Sequence, residues 1–559
     1  MRTFIDLLNE RNLRQVRLFL ILLILLASFI PLAPKVSTKS SMIEGVPYVW
    51  QRLDGLCGSA SLTSILKYYG VDVDLDRVLD LSGAGWGMMY IRSDPNWFFS
   101  LSAFDYQSQI EDYKALVDAF GFELTYYSQF EVTPYPGVKN QTLSSWDDAW
   151  NLLTSKIDSS DPVLLSVDPA VLPPEQYDIY RFFSITGASH GVVAIGYNEI
   201  NVEIIDPGIG IWDEHAHPSN GEGVYWVPLA TFKEAWENRY FIAFTLSRIG
   251  EGKDLISATI ERARDKLSPA LNLTGVYPSI YNPSYGWSLG YEFYRDFAYD
   301  MQPENFKIMM TSWLNYLDDD VTSLITVVKS LPSGVVYVVS LSKQLLNYSA
   351  TDFAKILNSL PNYKEDTVAE LNSAISSLDP LTDDYLLNNP YPLVVERSKN
   401  TILDQTFNSF AKALEDGANI SSAVDSIEHN LFALSSNLST VSSHLKSAIE
   451  MFPYQLTVSS AYDSPKGSGW YDPGTNVTFS IETPVGFIVK QIFTNWSGDS
   501  NATTPKATIV MDDHHTVVAE WRNDYSQLMS YTRIYILAAI LISVIIFYIL
   551  LLYHYNYLK

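Results

Sequence analysis

Two apolar runs bracket almost the whole chain, and they constrain its topology before any other feature does. Leu18 to Pro34 reads LFLILLILLASFIPLAP, near the length that crosses a bilayer, and Ile534 to Tyr553 is a second such run. Arg2, Arg11, Arg14 and Arg17 precede the first run, so the positive-inside rule keeps the N-terminus in the cytoplasm. The second run is weakly flanked, by Arg533 before it and Lys559 after it, and takes its orientation from the first. Two spans with that start place residues ~36–530 outside and both tails inside. A cleaved signal peptide is the other reading of residues 18–34; it changes the number of anchors but not the compartment.

Sequons beginning at Asn140, Asn272, Asn347, Asn419, Asn437, Asn476, Asn495 and Asn501 fit a glycosylated exterior. The formal charge of −26 argues against nucleic-acid binding, which needs a basic footprint. Roughly 490 exterior residues are more than one domain's worth. Three regions separate by pattern. Residues ~43–248 mix helical and strand-like runs, among them Gly191-Val192-Val193-Ala194-Ile195-Gly196-Tyr197 and Val202-Glu203-Ile204-Ile205-Asp206. Residues ~252–452 carry apolar side chains at three- and four-residue spacing, as in Phe407, Phe410, Leu414 and Ile427, Leu431, Leu434. Breaks are expected near Pro332, Pro361, Pro380 and Pro390 to Pro392, and the serine-rich stretch Asn419 to Leu445 reads as a stalk or a helical hairpin. Residues ~453–522 alternate apolar and polar between Gly, Pro and Asn turns, an all-β signature. The helical and β regions read as packing, spacing or partner-docking elements, with cell-surface partners possible through either.

The chain has one cysteine, Cys57, so an intrachain disulfide is excluded. It lies in Gln51-Arg52-Leu53-Asp54-Gly55-Leu56-Cys57-Gly58-Ser59-Ala60-Ser61-Leu62, at the start of a helix-like stretch. A thiol at a helix N-terminus feels the positive end of the macrodipole, which favours the nucleophilic thiolate. Gln51 can bring its amide beside that sulfur to stabilise an oxyanion. A cysteine nucleophile needs a base, and His190 opens the most apolar strand run of the same region. The strand turns at about Asn198 to Asn201 and returns through Val202 to Asp206, which brings a carboxylate back to the imidazole. The pattern therefore assigns Cys57 as nucleophile and His190 as base and then acid. Asp206 orients His190, and Gln51 with the Cys57 backbone N–H forms the oxyanion hole. Asp213-Glu214-His215-Ala216-His217 has metal-ligand residue types but reads as a solvated loop, as does His514-His515 between strands. No cofactor or metal is expected.

Residues ~45–248 resemble the papain-like cysteine peptidases of the C39-like group. The resemblance rests on Gly45-Val46-Pro47-Tyr48-Val49-Trp50-Gln51, on Gly55 to Leu62, on Leu66-Lys67-Tyr68-Tyr69-Gly70, on Ser189-His190-Gly191-Val192-Val193 and on Ile205-Asp206-Pro207. It implies a peptide or protein substrate and an α+β papain-like fold. More loosely, the same residues resemble the N-terminal domain of butirosin-H-like acyltransferases, with Leu81-Ser82-Gly83-Ala84-Gly85-Trp86-Gly87 leaning that way. Residues ~455–522 resemble the internalin-type B-repeat through Gly469-Trp470-Tyr471-Asp472-Pro473-Gly474-Thr475-Asn476-Val477-Thr478-Phe479, Asn495 to Asp499 and Thr516 to Trp521. That resemblance implies a small β-grasp-like module.

The expected architecture is a transmembrane helix or signal anchor at 18–34, a C39-like papain-fold domain at 43–248, an all-α region at 252–452, an all-β module at 453–522 and a transmembrane helix at 534–553. The expected function is an extracytoplasmic cysteine peptidase held at the cell membrane that works through a Cys57 thioester. A thiol-dependent acyl or amide transferase is the second reading, and a catalytically inert structural or adhesive surface protein is the third.

Overall fold

The computed structural model describes residues 40–93, 98–103, 109–130, 136–209, 223–268, 285–361, 366–388 and 399–558. The 18–34 run, Asn272 and the Asp213 to His217 cluster lie outside the described residues.

The N-terminal part is mixed α and β. Strand β1 (Ser41–Met42) leads to helices α1 (Cys57–Tyr68) and α2 (Leu75–Ser82), then to the hairpin β2 (Met89–Ser93) and β3 (Phe98–Ser102). Helix α3 (Gln109–Ala119), strands β4 (Phe122–Ser128) and β5 (Lys139–Thr142) and helix α4 (Trp146–Asp158) follow. The part closes with β6 (Val163–Val167), α5 (Asp178–Phe182), β7 (His190–Tyr197), β8 (Asn201–Ile205), β9 (Val224–Pro228), α6 (Leu229–Glu237) and β10 (Ala243–Arg248). The sheet order is β5-β4-β10-β6-β7-β8-β9, with β1 also on β7.

Strand β7 is buried along its whole length because α1 packs against it and α4 also lies on it, so both its faces need apolar side chains. Helix α1 is buried from Gly58 to Leu66. Its sequence of Gly, Ser, Ala and Thr keeps the helix slim enough to sit between the sheet and the helical region. The hydroxyls are satisfied locally: Thr63 donates to the Ser59 carbonyl at 2.7 Å, Ser64 to Ala60 at 3.2 Å, and Ser61 crosses to Gly191 at 3.1 Å.

The middle of the chain is mostly helical: α7 (Leu255–Leu267), a short strand β11 (Tyr285–Leu289), then α8 (Tyr291–Asp300), α9 (Pro303–Tyr316), α10 (Val321–Ser359), α11 (Asp366–Ser377), α12 (Ile402–Glu415) and α13 (Ile420–Glu450). Two expectations need correcting. Pro332 does not break a helix: it lies inside α10, where Leu324, Val328, Val335, Val336 and Val339 on either side enter one core. Burial of that stripe offsets a proline cost of about 3 kcal/mol. Asn419 to Leu445 is neither a stalk nor a hairpin, since it belongs to the single helix α13, whose Leu431, Leu434, Leu438, Val441 and Leu445 are fully buried in that core.

The helical region is not a separate bead. Strand β11 pairs antiparallel with β2, so the β2–β3 hairpin forms a sheet of order β11-β2-β3. Trp86, Met88 and Tyr90 belong to the helical core. A smaller core joins Leu53, Leu56, Ala60, Leu75 and Leu79 to Leu341, Leu345 and Leu387. Buried Asp112 on α3 receives Arg262 and, at 2.8 Å, Lys266 from α7. A buried carboxylate with two cations is a pairing that burial tolerates, whereas either cation left alone there is costly.

The C-terminal module has a four-stranded sheet of order β13-β12-β17-β15 and a two-stranded sheet β14-β16. Its strands are β12 (Tyr454–Ser460), β13 (Gly469–Tyr471), β14 (Asn476–Ser480), β15 (Lys490–Gly498), β16 (Lys506–Val510) and β17 (His515–Asp524). Arg264 of α7 reaches it through His514 at 3.0 Å. Helix α14 (Ser526–Tyr557) follows at once. Among the described residues, two helices have the length and composition to cross a membrane, α10 and the Ser526–His554 stretch of α14. Helix α10 is a core helix of the helical region, whereas α14 presents its apolar side chains outward along its length.

Candidate active site

The four residues singled out in the sequence converge at the junction of α1 and the His190 end of β7. Cys57 is the first residue of α1, half-buried. Its position there follows from the preceding loop, which turns sharply: Arg52 has φ 59° and Gly55 φ 82°. Glycine is the residue that reaches such a conformation without strain. The Gln51 N–H bonds the Pro207 carbonyl at 3.1 Å, tying this loop to the segment that follows β8.

His190 opens β7, and Cys57 is among the groups that raise its pKa. The close approach of strand to helix depends on Gly191. A methyl group there would come within 2.9 Å of the Gly58 nitrogen and 3.1 Å of the Cys57 carbonyl carbon, so only glycine fits. His190 Nε2 lies 2.7 Å from Asp206 Oδ1, which leaves Nδ1 free of the carboxylate. Asp206 is fully buried, just past β8, where the antiparallel return from β7 brings it.

The carboxylate is held by more than the imidazole. Tyr177 donates to Asp206, its hydroxyl 2.9 Å from both Oδ1 and Oδ2, and the same hydroxyl is 3.0 Å from His190 Nε2. Tyr225 donates to Oδ2 at 2.6 Å, and the Gly208 N–H to Oδ1 at 2.9 Å. Burial would raise the Asp206 pKa, but His190, Tyr225 and the Gly208 N–H together hold it below the ordinary carboxylate value. Burial likewise pulls His190 down, yet the Asp206 charge and hydrogen bond, joined by Cys57, push it up to about 10. The imidazole is therefore protonated at neutral pH.

Gln51 is buried beside this group. Its Nε2 donates to the Leu53 carbonyl at 3.1 Å within the same loop, and its Oε1 is buried without a hydrogen-bond partner. The tie fixes the amide within the loop that leads to Cys57 and leaves its second N–H free of that bond. The Cys57 N–H is in the first helical turn, where backbone donors have no intrahelical acceptor.

Tyr177 and Tyr225 went unnoticed in the sequence, and so did Asp54. Tyr177 lies in a long connection between β6 and β7 with no periodic pattern to place it; Tyr225 looks like an ordinary alternating strand residue. Asp54 sits between Gln51 and Cys57, and Tyr337 of α10 donates to its Oδ2 at 3.3 Å. Burial raises its pKa, against bonds from Gly55 and Tyr337. The helical region thus supplies part of the wall around the thiol loop: Arg52 pairs with Asp76 and stacks over the Tyr348 ring, 4.7 Å from its centroid.

A thiol at a helix N-terminus, packed against the strand that carries a paired imidazole and carboxylate, is the constellation of a cysteine nucleophile. The model of the peptidase C39-like family matches residues 43–244. Residues 43–244 are a C39-like domain. The C39-like domain thus holds all four residues, and its last matched residue lies in β10. Among solved structures, the chain aligns with a crystal structure from Bacillus anthracis described as a C39-like peptidase, at 16% identity and a TM-score of 0.25. That alignment covers 38% of this chain and 100% of the other. No curated protein matches the chain. At family level, the C39-like domain is peptidase-like. The metal reading of Asp213 to His217 lies outside the described residues, and among the described residues no group of three His, Cys, Asp or Glu side chains is arranged to hold an ion.

Proposed function

We propose that the chain is a cysteine peptidase held at a membrane, cleaving peptide bonds outside the cytoplasm through a Cys57 thioester. The observation that carries the reading is the buried His190–Asp206 pair, 2.7 Å apart, on a strand whose Gly191 packs directly against the backbone of Cys57 and Gly58.

The Cys57 sulfur, as thiolate, attacks the scissile carbonyl carbon. The carbonyl oxygen becomes an oxyanion that takes the Cys57 N–H and the Gln51 amide as donors. His190 gives its proton to the leaving nitrogen as the C–N bond breaks, and the acyl group remains on sulfur. Water then attacks the thioester, His190 takes its proton, and the carboxylic acid leaves as the thiol is regenerated. Asp206 keeps the imidazole in one tautomer throughout and stabilises its charged form. No metal or cofactor enters any step.

Helix α14 is the anchor in this reading. Its exposed apolar side chains run over more residues than the ~20 needed to span a bilayer. The C39-like domain, helical region and β module precede it on one side of the membrane in this reading, and the arginines before the 18–34 run support that side being outside.

The test is intact-mass analysis of the purified chain with peptide libraries. Cleavage with a transient acyl adduct on Cys57 is expected. Loss of both in Cys57→Ala, with thermal unfolding unchanged, would separate chemistry from folding. Cleavage retained by Cys57→Ala would overturn the proposal, and an adduct resolved only by added amines would assign acyl transfer instead.

A further inference from the structure

We propose that the turn closed by the Val485–Gln491 bridge, in the connection from β14 to β15, is a second membrane contact, seating Phe487 and Ile488 in the outer interface of the bilayer that α14 crosses. The inference rests on the reading of α14 as a membrane span and adds a lipid-binding surface to it.

The placement follows from strand register. Strands β15 and β17 are antiparallel, with Lys490 opposite Asp524 and Ile492 opposite Arg522. The start of β15 therefore lies at the end of β17, and α14 begins two residues further on, at Ser526. Val485 and Gln491 bridge each other through two backbone bonds, so residues 486–490 turn back beyond that same end of the sheet. The tip and the root of the apolar helix thus project from one edge of the module.

The tip's chemistry suits a lipid interface. Phe487 is 73% exposed and Ile488 47%, and Phe487 is the most exposed large apolar side chain between β12 and β17 among the described residues. An apolar pair is held outward by a turn whose Gly486 has φ +98°, with the Val489 carbonyl 2.6 Å from where a Cβ would stand. The turn is tight and keeps the pair presented. Behind the tip come Lys490 and Arg522, and beside it Tyr525 at the helix root. Apolar tip, aromatic residue and basic residues, in that order away from the membrane, match the depth preferences of these side chains in a bilayer. A tip anchored in this way gives the module two points of attachment, which fixes its tilt and with it the height of the C39-like domain above the surface.

Cys57 is the sole cysteine, so single thiols can be placed cleanly in a Cys57→Ala background. The full chain carrying Phe487→Cys, Asn501→Cys or Ala539→Cys is spin-labelled and reconstituted in phosphatidylcholine bilayers containing phosphatidylglycerol. Asn501 lies in the turn past the far end of β15, whose last residue, Gly498, is about 26 Å from Lys490 at a strand rise of ~3.3 Å per residue. Collision with oxygen and with a water-soluble nickel chelate is then measured at each site. The expected result is an oxygen-to-nickel ratio at residue 487 several-fold above that at 501 and below that at 539. A ratio at 487 equal to that at 501, with 539 lipid-embedded, would overturn the inference and leave the anchor standing. A label at 487 shielded from both reagents would assign the tip to a protein partner or second copy and likewise overturn it. A water-exposed label at 539 would take down the anchor and this contact together.

Discussion

Gly191 lies against Cys57 so closely that a methyl group on its Cα would stand 3.1 Å from the cysteine's carbonyl carbon. The neighbours at that point are backbone atoms of α1, which cannot swing aside as a side chain would. Gly191→Ala must therefore push β7 and α1 apart, and His190, the adjacent residue, moves with the strand. A displacement near 1 Å is worth on the order of 100-fold in rate. We expect Gly191→Ala to lose at least about that much in kcat/KM, while unfolding stays cooperative with a cost of about 1–3 kcal/mol. Steady-state kinetics and thermal unfolding measure the two separately.

Tyr225→Phe removes the 2.6 Å donor to Asp206 Oδ2, leaving that buried oxygen with Tyr177 alone. The carboxylate is then less well stabilised, and its pKa rises from its lowered folded value. A group with a lowered folded pKa gives stability that is present above its unfolded pKa and lost as pH falls through the folded one. In Tyr225→Phe the acid loss of stability, and the acid limb of kcat/KM, should move to higher pH. The cost at neutral pH is about 1.5–3 kcal/mol, as for a hydrogen bond to a charged group. Tyr177→Phe should act in the same direction, because Tyr177 also donates to Asp206.

His190 sets the alkaline side. Its folded pKa is raised from 6.5 to about 10, so its contribution to stability is fully present below the unfolded pKa and is lost as pH rises through about 10. Activity should fall in the same window, because a neutral imidazole cannot protonate the leaving amine. An NMR titration of the His190 ring, with the alkaline limb of kcat/KM beside it, checks both; a ring titrating near its ordinary value would contradict the geometry.

Asp80 shares the sign of His190 and opposes that of Asp206. It is fully buried on α2, accepts from Trp86 Nε1 at 2.8 Å and faces Asp352 on α10, with Arg77 nearby and paired to Asp352 at 3.2 Å. Lys355 also pairs with Asp352, at 3.7 Å, and Asp74 and Asp76 add negative charge to it. Burial, and then Asp352, keep the Asp80 carboxyl protonated well above its usual range. The folded state therefore holds an extra proton, and stability falls as pH rises above the unfolded value. Asp80→Asn copies the neutral form. It should leave stability almost unchanged near about pH 4 and raise it at about pH 8, measured by denaturant unfolding at both.

Much of this was legible in the sequence, and the reasons differ by feature. The β7 run reads as a buried strand because both faces are covered, and the return to Asp206 follows from a tight antiparallel connection. The helix at Cys57 is marked by its glycine-containing approach. The shared sheet β11-β2-β3 was not legible, since its strands come from segments far apart with no distinctive alternation. Pro332 misled because local propensity says break while the surrounding valines and leucines decide otherwise through burial. Tyr177 and Tyr225 could not be found from spacing: their role exists only once three loops meet at Asp206. Tyr337 reaching Asp54 was hidden for the same reason, 283 residues away in the chain.

Alkylation of Cys57 as a function of pH tests the central claim most directly, because the chain has no other thiol to react. In the full chain, Cys57 is expected to react with iodoacetamide at about pH 6 roughly tenfold or more faster than free cysteine, and His190→Ala should remove that advantage. A rate equal to that of free cysteine at every pH, and the same in His190→Ala, would contradict an activated nucleophile at this site.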